Sequence, residues 1–137
     1  MNLKELKYSK NHMWVSWDEG GGMSTLGITD YAQSELGDIV FFELPETGTE
    51  LSQFEKLGEV ESTKAVSDLI SPLGGEVIQV NQALLDSPEL ANKDPYGEGW
   101  LVKLKFNSMS EVNSLMTSEQ YEQFVAQESA GREPPPR

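Results

Sequence analysis

Apolar and polar residues alternate along most of this chain in runs of a few residues, the period of half-buried strands. Met13, Val15 and Trp17 fall on one face of a strand that Asp18-Glu19-Gly20-Gly21-Gly22 ends. Residues 24–27 read as the returning strand, with the glycine run as a loose connection. Thr29 suits the N-cap of a short helix over 30–36, because its hydroxyl can accept from an orphan first-turn amide. Asp30 suits that positive end and Gly37 the C-terminal stop. An apolar and aromatic strand follows over 39–44, ended by Pro45.

The middle of the chain, 57–75, reads LGEVESTKAVSDLISPLGG. Leu57, Val60, Val66, Leu69 and Ile70 flank the polar centre Glu61, Ser62, Thr63 and Lys64, as two half-buried strands joined by a tight turn require. Lys64 stands at the tip. Residues 76–80 continue as strand, and 81–94 read as loop with helical turns near 82–85 and 88–90. Asp94-Pro95-Tyr96-Gly97-Glu98-Gly99 is turn chemistry. In the strand over 100–106, Trp100, Val102, Leu104 and Phe106 share one face, with Lys103 and Lys105 opposite.

Two helices are predicted next, since Ser108 with Glu111 and Thr117 with Gln120 each have capping-box spacing. Leu115 and Met116 on the first, and Tyr121, Phe124 and Val125 on the second, form stripes suited to covering the end of a sheet. Residues 127–137, QESAGREPPPR, have little apolar content and three successive prolines, which predicts a disordered tail behind a single domain over 1–126. Many short strands, few helices and frequent turns imply a mainly β fold: two antiparallel sheets facing each other as a sandwich or flattened barrel, with short helices and a C-terminal helix.

Composition narrows the chemistry. The 137 residues hold ten basic and 23 acidic side chains, a formal charge of −13, which argues against nucleic acid or anionic membrane as partner and favours proteins with basic docking surfaces. With no cysteine there is no disulfide, thiolate nucleophile or cysteine-ligated metal, so any thiol chemistry comes from an added group. The N-terminus lacks the apolar core of a secretory signal and no apolar run approaches membrane-spanning length, so a cytoplasmic location is expected. His12 is the only histidine, which excludes triads and metal sites needing more than one within the chain. Gly20-Gly21-Gly22 lacks the following lysine and strand-to-helix context of a phosphate loop.

Taken alone, a turn lysine is ordinary solvated surface. The frame around Lys64 changes that reading. Gly48, Leu51, Leu57, Val60, Lys64-Ala65, Leu69, Gly75 and Val77 resemble the lipoyl-attachment signature of lipoyl domains and glycine cleavage system H proteins. YSKNHMWV, LGITDYAQSELGDIVFFELPETGTEL, GEVESTKAVSDLISPLGGEVIQVNQAL and NKDPYGEGWLVKLK, in order and covering roughly 6–125, resemble the H-protein family closely.

The resemblance implies a lipoyl-domain-like fold and lipoic acid in amide linkage to Lys64. An amine to be acylated must project from a rigid scaffold among small neighbours, and Ser62, Thr63 and Ala65 are small. Acylation would remove the lysine's charge. Glu61 and Asp68 would add an acidic surround for lipoylating enzymes, although each could equally be a solvated hairpin charge; Gly75 is expected to serve backbone geometry. The implied role is a non-catalytic carrier. Its arm would take an aminomethyl group from glycine decarboxylase to the aminomethyltransferase and be reoxidised by dihydrolipoamide dehydrogenase, with catalysis left to cofactor and partners. A small acidic carrier of this kind is expected to be a monomer.

One motif departs from the family. Its His-Glu-Trp reads His12-Met13-Trp14 here, so the glutamate that, in the family, helps hold the loaded arm in a surface cleft is a thioether. That departure leaves open a relay that holds octanoyl or lipoyl groups for other lipoyl-dependent complexes. An interaction module with unmodified Lys64 is the alternative from another class. A biotin carrier is disfavoured, since its lysine would be flanked by methionines where Thr63 and Ala65 stand.

Overall fold

The computed structural model describes residues 2–18 and 20–132, without the side chains of 130–132. Nine strands alternate with short helices. In order they are β1 (Lys7–Tyr8), β2 (Met13–Asp18), β3 (Met23–Ile28), α1 (Asp30–Leu36), β4 (Ile39–Glu43), β5 (Glu50–Leu51), β6 (Lys56–Ser62), β7 (Val66–Ile70), β8 (Gly75–Val80), α2 (Gln82–Asp86), α3 (Leu90–Lys93), β9 (Val102–Phe106), α4 (Met109–Asn113) and α5 (Ser118–Arg132). A six-stranded sheet runs β1-β2-β3-β9-β8-β5 and a three-stranded sheet β4-β6-β7, all pairs antiparallel. The sheets face each other and neither closes on itself, so of the two forms expected the molecule takes the sandwich rather than the flattened barrel.

The main core lies between the sheets. Val15, Leu26, Val77 and Leu104 from the large sheet meet Phe42, Val60 and Leu69 from the small one, each contributing on the order of 1.5–3 kcal/mol by leaving water. A second cluster, Leu6, Tyr8, Trp14 and Tyr121, lies on the other side of β2. That strand is therefore buried on both faces at its start: Met13 and Val15 enter the main core and Trp14 the second cluster, where its indole donates to the Pro95 carbonyl at 3.0 Å. Trp14 pairs with Gly27, and a Cβ at Gly27 would stand 2.5 Å from the indole. Only a residue without a side chain leaves room for it.

Several predicted ends shift. Thr29 caps α1 as expected, its hydroxyl accepting from the Ala32 amide. At α5, Thr117 and Gln120 form the reciprocal capping box, each side chain accepting the other's amide. Ser108 caps α4, but Glu111 accepts instead from the Gly74 amide across the fold, so that box is half formed. Helix α4 stops at Asn113, and Leu115 and Met116 lie beyond it; Met116 exchanges both backbone hydrogen bonds with Tyr8 as an isolated bridge. Helix α5 continues past Ala126 to Arg132, so residues 127–132 are helical where a tail was expected. The rest of that tail, 133–137, and Glu19 of the glycine-rich turn lie outside the described residues.

Burial shapes the tyrosine chemistry. Desolvation first, then the neighbouring Tyr96 charge, pushes the Tyr8 phenol up to about 12, and desolvation drives Tyr121 higher still. Unfolded tyrosines ionise near ~10, so the native state binds more protons than the unfolded one above that pH. Stability is thus expected to hold up to pH ~10 and fall as pH rises toward ~12, by about 1.4 kcal/mol per unit for each of the two residues. Urea unfolding across that range measures the slope, and a Tyr8→Phe variant should show a shallower one.

Candidate functional site

The hairpin β6–β7 turns through Thr63, Lys64 and Ala65, and Lys64 is exposed at its tip. The turn is braced from inside. Ser62, buried, accepts the Lys64 and Ala65 amides on its hydroxyl at 3.2 Å each, while its own amide donates to the Ala65 carbonyl at 2.8 Å. Thr63 donates its amide to the Asp38 carbonyl at 3.0 Å, tying the tip to the segment between α1 and β4.

That segment is held in turn by Asn92, which the sequence offered no reason to single out. Its side chain accepts the Ile39 amide at 2.9 Å and donates to the Gly37 carbonyl at 2.8 Å and to Gln33 at 3.0 Å. Asp38 is thus fixed on both sides. Gly37 ends α1 at φ 77°, ψ −153°, a region essentially reserved for glycine, and the Lys64 stem lies over it: a Cβ at Gly37 would stand 3.2 Å from Lys64 Cε. Among the described residues no ion pair engages the Lys64 amine. The arrangement is a fixed pedestal carrying an exposed cation.

The other residues singled out divide between the two faces of the hairpin. Glu61 points outward, opposite Phe41 on one side and Val66 on the other. Val66, expected among half-buried apolar positions, is 59% exposed. Asp68 shares that outer face and receives Lys56 at 3.3 Å, while Lys56 also donates to Glu59 at 2.6 Å; Glu59, then Asp68, hold the Lys56 amine above its usual range. Thr63 and Ala65 are exposed beside the lysine, and Ser62 is committed to the turn. Gly75 is geometric as expected, since a Cβ would meet the Lys105 carbonyl.

A cleft of about 190 Å³ borders the pedestal. Met13, Ile28, Ala32, Leu36, Val60 and Leu69 give it an apolar lining, to which Glu35 and Glu128 add acidic residues; Asp68 borders it from β7, its carboxylate lying on the outer face with Lys56. Leu36 of this lining is the chain neighbour of Gly37, over which the lysine stem lies. His12, with φ 65°, forms another part of the wall. Its Nε2 lies 3.0 Å from Glu128 and its Nδ1 2.8 Å from the Tyr121 hydroxyl, which is 2.7 Å from the Thr29 hydroxyl. Nε2 donates to the Glu128 carboxylate, which only accepts, and the contacts run in line from Thr29 through Tyr121 and His12 to Glu128. This chain ties α5 to the N-cap of α1.

The sequence model of the family described as glycine cleavage H-protein matches residues 6–128. A glycine cleavage system H protein of Halothermothrix orenii is 51% identical over 126 residues, 91% of this chain and 97% of that protein. One of Geobacillus kaustophilus is 52% identical over 122 residues, 89% of this chain and 94% of that protein. The crystal structure of a glycine cleavage system H protein from Mycobacterium marinum superposes with a TM-score of 0.80 at 38% identity, covering 92% of this chain and 98% of that one.

Removing the Asn92 clamp should loosen the tip. Asn92→Ala is expected to cost about 1–3 kcal/mol in urea unfolding, because the Gly37 carbonyl and Ile39 amide lose their partner. Amide exchange at Thr63 should rise at the same time, with exchange in β2 and β9 changing only by the global loss.

Proposed function

The chain belongs to the glycine cleavage H-protein family, and from that premise we propose that Lys64 carries the lipoyl group of a glycine cleavage carrier. The observation that carries the assignment to this residue is the pedestal: an exposed lysine, its stem on Gly37, on a turn in which the amides of Ser62, Thr63, Lys64 and Ala65 are all bonded. Small neighbours leave its amine open to an acylating enzyme, and acylation cancels a charge that no ion pair among the described residues engages. The cleft fits the group as well, since its apolar lining suits an alkyl chain and its carboxylates suit a cationic end.

When bound, the dithiolane supplies the sulfur chemistry that accepts the aminomethyl group, which a chain without cysteine cannot supply. The protein's own residues position. Gly37, Asp38 and Asn92 fix the base of the arm, and the half-buried Ala32 and Leu36, packed over the buried Met13, Val60 and Leu69, offer it an apolar resting surface. Glycine decarboxylase, the aminomethyltransferase and dihydrolipoamide dehydrogenase are the partners that the reading names, with lipoylating enzymes acting first. The chain itself turns nothing over. Among the described residues no helix is long and apolar enough to cross a membrane.

Met13 is 1% exposed, at the floor of the cleft, where a carboxylate would be buried, and Glu35 and Glu128 already bring acidic residues to the lining. Restoring the glutamate therefore gains nothing. Met13→Glu is expected to lose about 1–3 kcal/mol of stability from burying a carboxylate, with no rise in glycine–carbon dioxide exchange beyond about twofold. A large rise would favour the relay reading. The carrier reading itself is tested by reconstituted exchange with glycine decarboxylase: the lipoylated chain should support it, and Lys64→Arg, which keeps the charge and fold, should support none.

A further inference from the structure

The outer face of the three-stranded sheet carries an apolar row that nothing in the described fold covers. A bulge between Ile39 and Phe41 breaks the alternation of β4, so Ile39 and Phe42 enter the core while Val40 and Phe41 are both exposed. Phe41 is 55% exposed and faces Glu61, which faces Val66. Away from the tip the same face continues in register as Glu43, Glu59 and Asp68. Its lysine, Lys56, is already committed to two of those carboxylates. The face is thus apolar at the Lys64 end and acidic behind it.

Covering Phe41 and Val66 would strip water from Glu61 between them, which is costly unless the cover brings a cation. A complementary surface therefore has two apolar recesses with a basic side chain between, and further basic groups beyond. Reach selects the partner. An enzyme acting on a loaded arm can meet it at a distance from the tip, whereas the enzyme that first acylates the lysine has only the lysine's own length and must press against the turn. Resting on the reading of Lys64 as the acylated residue, we infer that the Phe41–Glu61–Val66 row docks the lipoate-attaching enzyme, with Phe41 and Val66 as its apolar anchors.

Steady-state acylation of the full chain by a lipoate–protein ligase, with ATP and lipoic acid, tests this. Phe41→Ser and Val66→Ser, each on an exposed position, should keep the parental melting temperature and raise the KM for the protein about tenfold, with kcat nearly unchanged. Glu61→Gln should raise KM and flatten its salt dependence. Ile78→Ser, 42% exposed on the opposite sheet, should leave KM as it is. Val66→Ser decides the matter should Phe41→Ser fail to fold. Normal acylation of Lys64 with KM within about twofold in the row variants overturns the docking surface alone. Failure of the unaltered chain to be acylated overturns the carrier reading, and this inference with it.

Discussion

The tip of the β6–β7 hairpin has to be exposed and immobile at once, and the Thr63 amide bonded to the Asp38 carbonyl is the interaction that reconciles the two. A free hairpin end frays, because little apolar surface is buried there to offset the entropy of ordering it. Here the end is stitched to a segment that Asn92 clamps on both sides, and that segment follows a helix whose cap, Thr29, is bonded to Tyr121 of the C-terminal helix. Order is thus carried from two buried clusters to a residue that neither cluster contains. Lys64 needs no partner of its own to be well placed.

The same arrangement separates the two faces of the hairpin by chemistry. Inward, Val60 and Leu69 join the core and line the cleft, where Met13 gives an apolar floor and Glu35 and Glu128 add acidic residues. Outward, the bulge in β4 brings Phe41 level with Glu61 and Val66, and the carboxylates of Glu43, Glu59 and Asp68 extend the face. One lysine stands at the junction. In the proposed reading, an arm attached there would have the cleft on one side and the docking row on the other, and a charge of −13 would favour partners with basic surfaces.

Alternation with period two made most strands legible, because each has one face in the core, and the turn around Lys64 was legible because a polar centre interrupts two apolar arms. Thr117 and Gln120 met their capping expectation since both partners are local. Glu111 did not, because the Gly74 amide, distant in sequence, competes for it. Trp14 was harder: a strand buried on both faces has no alternation to read, and only its pairing with Gly27 shows where the indole fits. Asn92 carried no signal at all, since its nearest partner in sequence, Ile39, lies 53 residues away and its farthest, Gln33, 59. The exposure of Val40 and Phe41 depends on a bulge, which a run of apolar residues does not announce. Membership of the H-protein family came from whole-motif resemblance, and the pedestal then gave a physical reason for the position of the lysine.

The most direct test of the account is the intact mass of the protein purified from its own cells, with peptide mapping across Lys64 and a Lys64→Ala control. A lipoyl adduct confined to Lys64 and absent from the control is the predicted result. A wholly unmodified lysine, in cells that lipoylate their other carriers, would contradict it.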